Sequence, residues 1–144
     1  MRDDQALIDV FIAQAGAPLT EFAERHEFGE PTSIVDRRIS QVRIMLKKRE
    51  IAVEVSYDYR EGDIELFVAR LENGEVPEGW MVDARGRRFR FRVLELLLAR
   101  GVRSLGLEPK GSESLEERYR RIVARFLSLI EEHIPEVLDG FLPG

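Results

Sequence analysis

The sequence predicts an α+β fold: an antiparallel sheet of about four to six strands, with N-terminal and C-terminal helices packed on one of its faces. Three observations carry this. Apolar residues recur at helical spacing near both ends, they alternate with period two across residues 41–71, and turn residues divide the middle of the chain into hairpin-sized pieces. At 144 residues, with no internal repeat, low-complexity stretch or linker, the chain reads as a single domain, 1–144, long enough to bury its own core.

The first element is DDQALIDVFIAQ, where Asp3 or Asp4 can cap a helix and Leu7, Ile8, Phe11 and Ile12 share one face. Gly16 and Pro18 are expected to interrupt it, LTEFAERHEF to restart it, and Gly29 with Pro31 to end the helical section. The period then changes. In SQVRIMLK, Val42, Ile44 and Leu46 alternate with polar or flexible neighbours. IAVEVSYDY puts Ile51, Val53, Val55, Tyr57 and Tyr59 on one side of a strand and Glu54, Ser56 and Asp58 on the other. REGD makes a turn into IELFVARL, ENGEVPEG makes a loop, and WMVD and RRFRFRV read as shorter strands joined near Gly86. VLELLLAR becomes a short helix stopped by Gly101. The last helix carries Ser114 and Glu117 at capping-box spacing and a stripe of Leu115, Tyr119, Ile122, Phe126, Leu129 and Ile130. Glu116 with Arg120 and Glu117 with Arg121 stand in the favourable i,i+4 order, and Pro135 kinks this helix or starts a short final one.

Composition narrows the chemistry. No cysteine is present, which removes disulfides, thiolate nucleophiles and thiolate metal sites and suits a reducing compartment. MRDDQ lacks the basic and apolar regions of a secretory leader, and no apolar run approaches the length of a spanning helix, so the expected location is cytoplasmic with no membrane partner. The net charge of −5 conceals alternating blocks: residues 84–110 hold eight Lys and Arg against two Asp and Glu, whereas residues 61–83 hold one against seven. Such blocks pair within a fold or offer opposed patches to a partner.

The usual parts of a catalytic centre are scarce. The two histidines, His26 and His133, have no ligand spacing around them and read as helix-end residues. No glycine-rich phosphate loop and no nucleophile elbow occurs. Asp58, Glu61, Asp63 and Glu65 crowd one hairpin tip, where Asp58 and Glu65 could pair for acid–base work or bind a hard cation; a solvated acidic turn is the favoured reading. The expectation is a non-enzymatic protein with no cofactor and no metal.

RGRRFRFR, residues 85–92, places five arginines in eight positions. Strand alternation would aim Arg88, Arg90 and Arg92 one way and Phe89 and Phe91 the other. With Arg85 and Arg87 they make a candidate partner-binding set, since a row of guanidiniums recognises carboxylates or phosphates. Nucleic acid is disfavoured, because the chain is acidic overall and the phenylalanines face away from the arginines. An acidic protein partner and internal pairing with the acidic blocks both stay open, and a homodimer is compatible with either.

FAERHEFG, followed by EVSYDYREGDIELFVARLENGEVP, resembles a group of small bacterial α+β proteins that share a helix ending near Phe28–Gly29, a strand with Tyr57–Asp58, a strand with Ile64, Leu66 and Leu71, and Gly74 with Pro77. Some members are similar to immunity proteins that bind and block bacterial toxins. The resemblance, over about residues 20–80, implies toxin neutralisation without catalytic residues, and the arginine segment lies outside it. The element order is also similar to that of type III secretion chaperones, which dimerise around a secreted protein; that resemblance would require a helix within ENGEVPEG. The third expectation is an enzyme or metal-binding protein using the Asp58–Glu65 carboxylates.

Overall fold

The structure, a computed structural model, describes residues 3–143. Met1 and Arg2, the start of the segment read for a leader, lie outside the described residues. The fold is α+β: α1 (Asp4–His26), β1 (Thr32–Asp36), β2 (Gln41–Lys48), β3 (Ile51–Asp58), β4 (Asp63–Arg70), β5 (Arg90–Arg92), α2 (Val93–Ala99), α3 (Leu115–His133) and a 3-10 turn, Pro135–Asp139. The five strands form an antiparallel meander in sequence order.

Helix α1 is continuous, which corrects the expected break at Gly16 and Pro18. Ile8, Phe11, Ala15, Leu19, Phe22 and Ala23 are all buried, and their spacing of three and four runs straight through both residues. Burying each of the larger side chains contributes roughly 1.5–3 kcal/mol, against about 3 kcal/mol for an internal proline. Burial wins. The Asp3 carboxylate accepts from the Ala6 N–H at 2.7 Å to cap the start, and Glu27 ends the helix in the left-handed region at φ 61°. Helix α1 is by length and composition long and apolar enough to cross a membrane, which corrects the expectation that no apolar run approaches that length.

Helices α1 and α3 lie on the inner face of the sheet around one hydrophobic core. At its centre the Phe11 and Tyr57 rings stack at 4.4 Å, and Tyr119 of α3 meets Phe11 edge-on at 5.5 Å. The Tyr57 and Tyr119 hydroxyls share a hydrogen bond, joining sheet to helix in the dry interior. Burial first, and that bond second, push the Tyr57 hydroxyl far above its ordinary pKa, so it stays neutral. Ser114 caps α3 as its spacing predicts: its Oγ accepts from the Glu117 N–H at 3.1 Å and donates to the Glu117 carboxylate at 3.0 Å. Among the arginines of α3, Arg121 bonds to Glu113 at 2.7 Å and Arg120 to Gln14 at 3.0 Å. Pro135 opens the 3-10 turn and does not bend α3.

The outer face of the sheet is partly roofed, which alternation alone does not predict. Met45, Ala52, Ala69, Leu71 and Phe89 form a second, smaller core there, so all of β3 from Ile51 to Tyr57 is buried on both sides. The roof is residues 71–89. Glu72 and Glu75 exchange backbone hydrogen bonds across Asn73–Gly74, both at positive φ. The segment 72–79, where the secretion-chaperone resemblance needs a helix, is therefore a tight turn and a loop. WMVD is not a strand; it contributes a single bridge, Val82 to Arg88. Gly79 is required: at φ +111° a Cβ would stand 2.4 Å from the Val82 carbonyl oxygen.

Candidate functional site

The arginine stretch does not form the expected row. Both the Phe89 and the Arg90 N–H donate to the Met81 carbonyl, at 2.9 and 3.4 Å. Two residues therefore oppose one, as in a bulge. Alternation slips by a residue, so Phe89 enters the outer core while Phe91 enters the inner one. Each arginine is re-aimed accordingly.

Arg90 corrects the sequence expectation most sharply, because it is buried and unavailable to any partner. Its Nε and Nη2 donate to the two Glu54 carboxylate oxygens at 3.0 and 3.1 Å, with the side chains 3% and 0% exposed. Nη1 donates to the Trp80 carbonyl, and the guanidinium lies over the Trp80 and Phe89 rings at 4.9 and 5.1 Å. This bidentate pair ties the roof to the sheet. Its partner Glu54 could not be read from the sequence, since in a period-two strand it looks like a solvent-facing polar residue.

Arg88 donates to the Glu95 carboxylate of α2 at 2.6 Å and covers the Phe91 ring at 4.6 Å. Arg92 pairs with Glu65 at 2.8 Å, both half-exposed. Internal pairing thus absorbs three of the five arginines.

Arg85 and Arg87 remain. They occupy the tip of the roof hairpin, where both backbone N–H groups donate to the Asp83 carboxylate at 2.9 Å. Their side chains are exposed, and among the described residues they have no ion pair. Beside them Arg70 donates to the Arg88 carbonyl at 2.9 Å. Burial, and then the charge of Arg87, push the Arg70 guanidinium below its ordinary pKa, with only Asp83 opposing. The tip thus carries the unpaired guanidiniums of Arg85 and Arg87, with Arg70 close to Arg87 and Asp83 the opposing charge. The neighbouring roof exposes Trp80 (45%) and Val82 (46%), and Arg43 reaches to 5.6 Å from the Trp80 ring. An exposed tryptophan flanked by arginines is the composition that dominates binding energy at protein interfaces.

The acidic hairpin tip is organised as a turn. The Asp58 carboxylate accepts from the Arg60 and Glu61 N–H groups, both at 3.0 Å. Register sets Asp58 opposite Asp63 and Glu65 opposite Ser56, so Asp58 and Glu65 are not cross-strand partners. Among the described residues no group of three or more His, Asp and Glu could hold a metal ion. His26, in the last turn of α1, meets Glu131 of α3 at 2.6 Å alongside Arg25 at 3.1 Å, an inter-helix clamp. A hollow of about 540 Å³ lined by Glu27, Lys48, Glu50 and Leu138 holds mixed charges that converge on no single point. No protein-family model, curated protein or solved structure matches this chain.

Proposed function

We propose that this chain is a non-catalytic protein-binding module that docks its roof hairpin on an acidic protein, most specifically to neutralise a bacterial toxin. One observation carries the docking reading: Arg85 and Arg87 stand exposed and unpaired at the hairpin tip, with Arg70 close to Arg87, on the same roof as the exposed Trp80. Charge left uncompensated at a hairpin tip contributes little to stability but accelerates encounter with an opposite surface. The toxin is suggested by the resemblance of residues 20–80 to immunity-type proteins.

The test is co-expression with the products of the neighbouring genes, followed by growth rescue and association kinetics. The wild type should rescue growth from one such product. Arg85→Gln/Arg87→Gln should slow association at low salt, with the difference shrinking as salt rises, and should melt within about 0.5 kcal/mol of wild type. Tight RNA or DNA binding at physiological salt, lost in the double variant, would identify a phosphate backbone as the partner and refute this reading.

A further inference from the structure

Strand β1 lies at the edge of the sheet, and its first four residues are exposed, Ile34 by 60% and Val35 by 38%. Edge strands ordinarily discourage pairing with a lysine, a proline or a bulge inside the strand. TSIVD has none of these; Pro31 precedes it. At the opposite edge β5 is only three residues long, and the Met81 carbonyl takes up its N-terminal N–H groups. One edge is blunted and the other left open.

We propose that β1 pairs antiparallel with β1 of a second copy of this chain, joining two five-stranded sheets into one of ten strands across a two-fold axis at Ile34. Side chains that face each other across an antiparallel pair point to the same side of the sheet. A two-fold axis normal to the sheet must therefore pass through a residue and not between two. Three centres are available. Centring on Ser33 sets Glu30 opposite Asp36 of the second copy, twice, which is repulsive. Centring on Val35 sets Ile34 opposite Asp36, burying apolar surface against a charge. Centring on Ile34 stacks the two isoleucines, sets Ser33 opposite Val35 and Thr32 opposite Asp36, and brings Glu30, just before the strand, toward Arg38 of the second copy, in the turn that follows it, at both ends. Glu30 is exposed, and the Arg38 side chain, 89% exposed, can reach beyond its own Asp36. Only this register satisfies both the apolar and the charged positions.

The contact is small. Five paired residues with their flanks fall below the roughly 1,200–2,000 Å² of a standard stable interface, so the dimer should be weak, with dissociation in the micromolar range or above. Sedimentation equilibrium of the full chain from about 10 to 500 µM should show a reversible monomer–dimer equilibrium. Ile34→Lys, at an exposed position that leaves the fold intact, should weaken it by about tenfold or more. Glu30→Arg should weaken it too, and Glu30→Arg/Arg38→Glu should recover it. The chain has no cysteine, so single-cysteine variants report register cleanly. Ile34→Cys should oxidise to a linked dimer, while Val35→Cys, which faces Ser33, should not. A wild type that stays monomeric throughout, a dimer indifferent to Ile34→Lys, or faster cross-linking at Val35→Cys than at Ile34→Cys would each overturn the proposal.

Discussion

Replacing Arg90 by Gln leaves the Glu54 carboxylate, 0% exposed, without its cation in the middle of the sheet. It also deletes the hydrogen bond to the Trp80 carbonyl. The attraction within a buried pair is largely cancelled by the cost of drying both ions, but removing one partner strands the other and costs about 3–5 kcal/mol. At roughly 2–4 °C per kcal/mol for a chain of this size, the midpoint should fall by about 6–20 °C. The double change Arg90→Met/Glu54→Leu removes both charges and keeps most of the volume, so it should lie within about 1 kcal/mol of wild type or above it. Urea denaturation of wild type, Arg90→Met, Glu54→Leu and the double variant closes a double-mutant cycle, and the coupling between the two sites should be at least about 3 kcal/mol. A loss below about 1 kcal/mol for Arg90→Gln would refute the reasoning, because a dry, bidentate pair cannot be broken so cheaply. A row of solvated arginines would predict that small loss, so the same measurement separates the two arrangements.

Phe126, 3% exposed within the α3 stripe, should cost about 3–5 kcal/mol when changed to Ala, against less than about 1 for Glu117→Ala at the cap; equal losses in urea melts would mean α3 is not packed on the core. The Arg121 guanidinium holds the Glu113 carboxyl at a pKa of about 2, well below its ordinary 4.5. A lowered folded pKa gives stability that is present above pH 4.5 and lost as pH falls toward 2. Melts of Glu113→Gln should therefore lack that part of the acid decline, and an unchanged acid limb would remove Glu113 from the account. Changing Asp58, Glu61 and Asp63 together to Asn, Gln and Asn should cost no more than about 1 kcal/mol, from the Asp58 turn bonds. Calcium or magnesium should not shift the wild-type melt; a shift that the triple variant lacks would show a metal site instead.

The period-two and period-3.6 patterns made the sheet and the terminal helices legible because burial there is one-sided. They failed where burial is two-sided or absent. In β3, Glu54 and Ser56 alternate correctly, yet both are buried, because the roof that covers them comes from residues 71–89. β1 was unreadable for the opposite reason: four of its five residues are exposed, so no pattern records which side faces in. In α1 the signal was present and overridden, since the three-and-four spacing from Ile8 to Ala23 crosses Gly16 and Pro18 unbroken. The arginine segment was misjudged through one backbone event, the doubled bond to Met81 that re-aims Phe89 and Arg90. No side-chain pattern encodes a bulge directly. The excess of arginine over acid in 84–110 left internal pairing and a free surface both open, and the structure divides the segment between them, with Arg88, Arg90 and Arg92 paired and Arg85 and Arg87 exposed.

The roof and the core share few covalent steps but several buried contacts, and this decides whether they unfold together. Trp80 is the sole tryptophan, and its ring sits 5.3 Å from Phe67 of β4 and 4.9 Å from the Arg90 guanidinium. Its fluorescence therefore reports the roof, while far-UV circular dichroism reports helices and sheet. In the wild type, Phe89 at 1% exposure and the Glu54–Arg90 pair bind the roof into the sheet. The two probes should accordingly give coincident urea transitions, the mark of a single cooperative unit. With Arg90→Gln the roof keeps its apolar cluster, the Trp80–Phe67 contact and more exposed ties such as Arg88–Glu95, but loses its buried polar tie to the sheet. The tryptophan transition should then precede the dichroism transition, as a locally unfolding segment does. Coincident curves in the variant would mean that Phe89 and its neighbours suffice, and that the buried pair fixes the aim of the roof without fastening it.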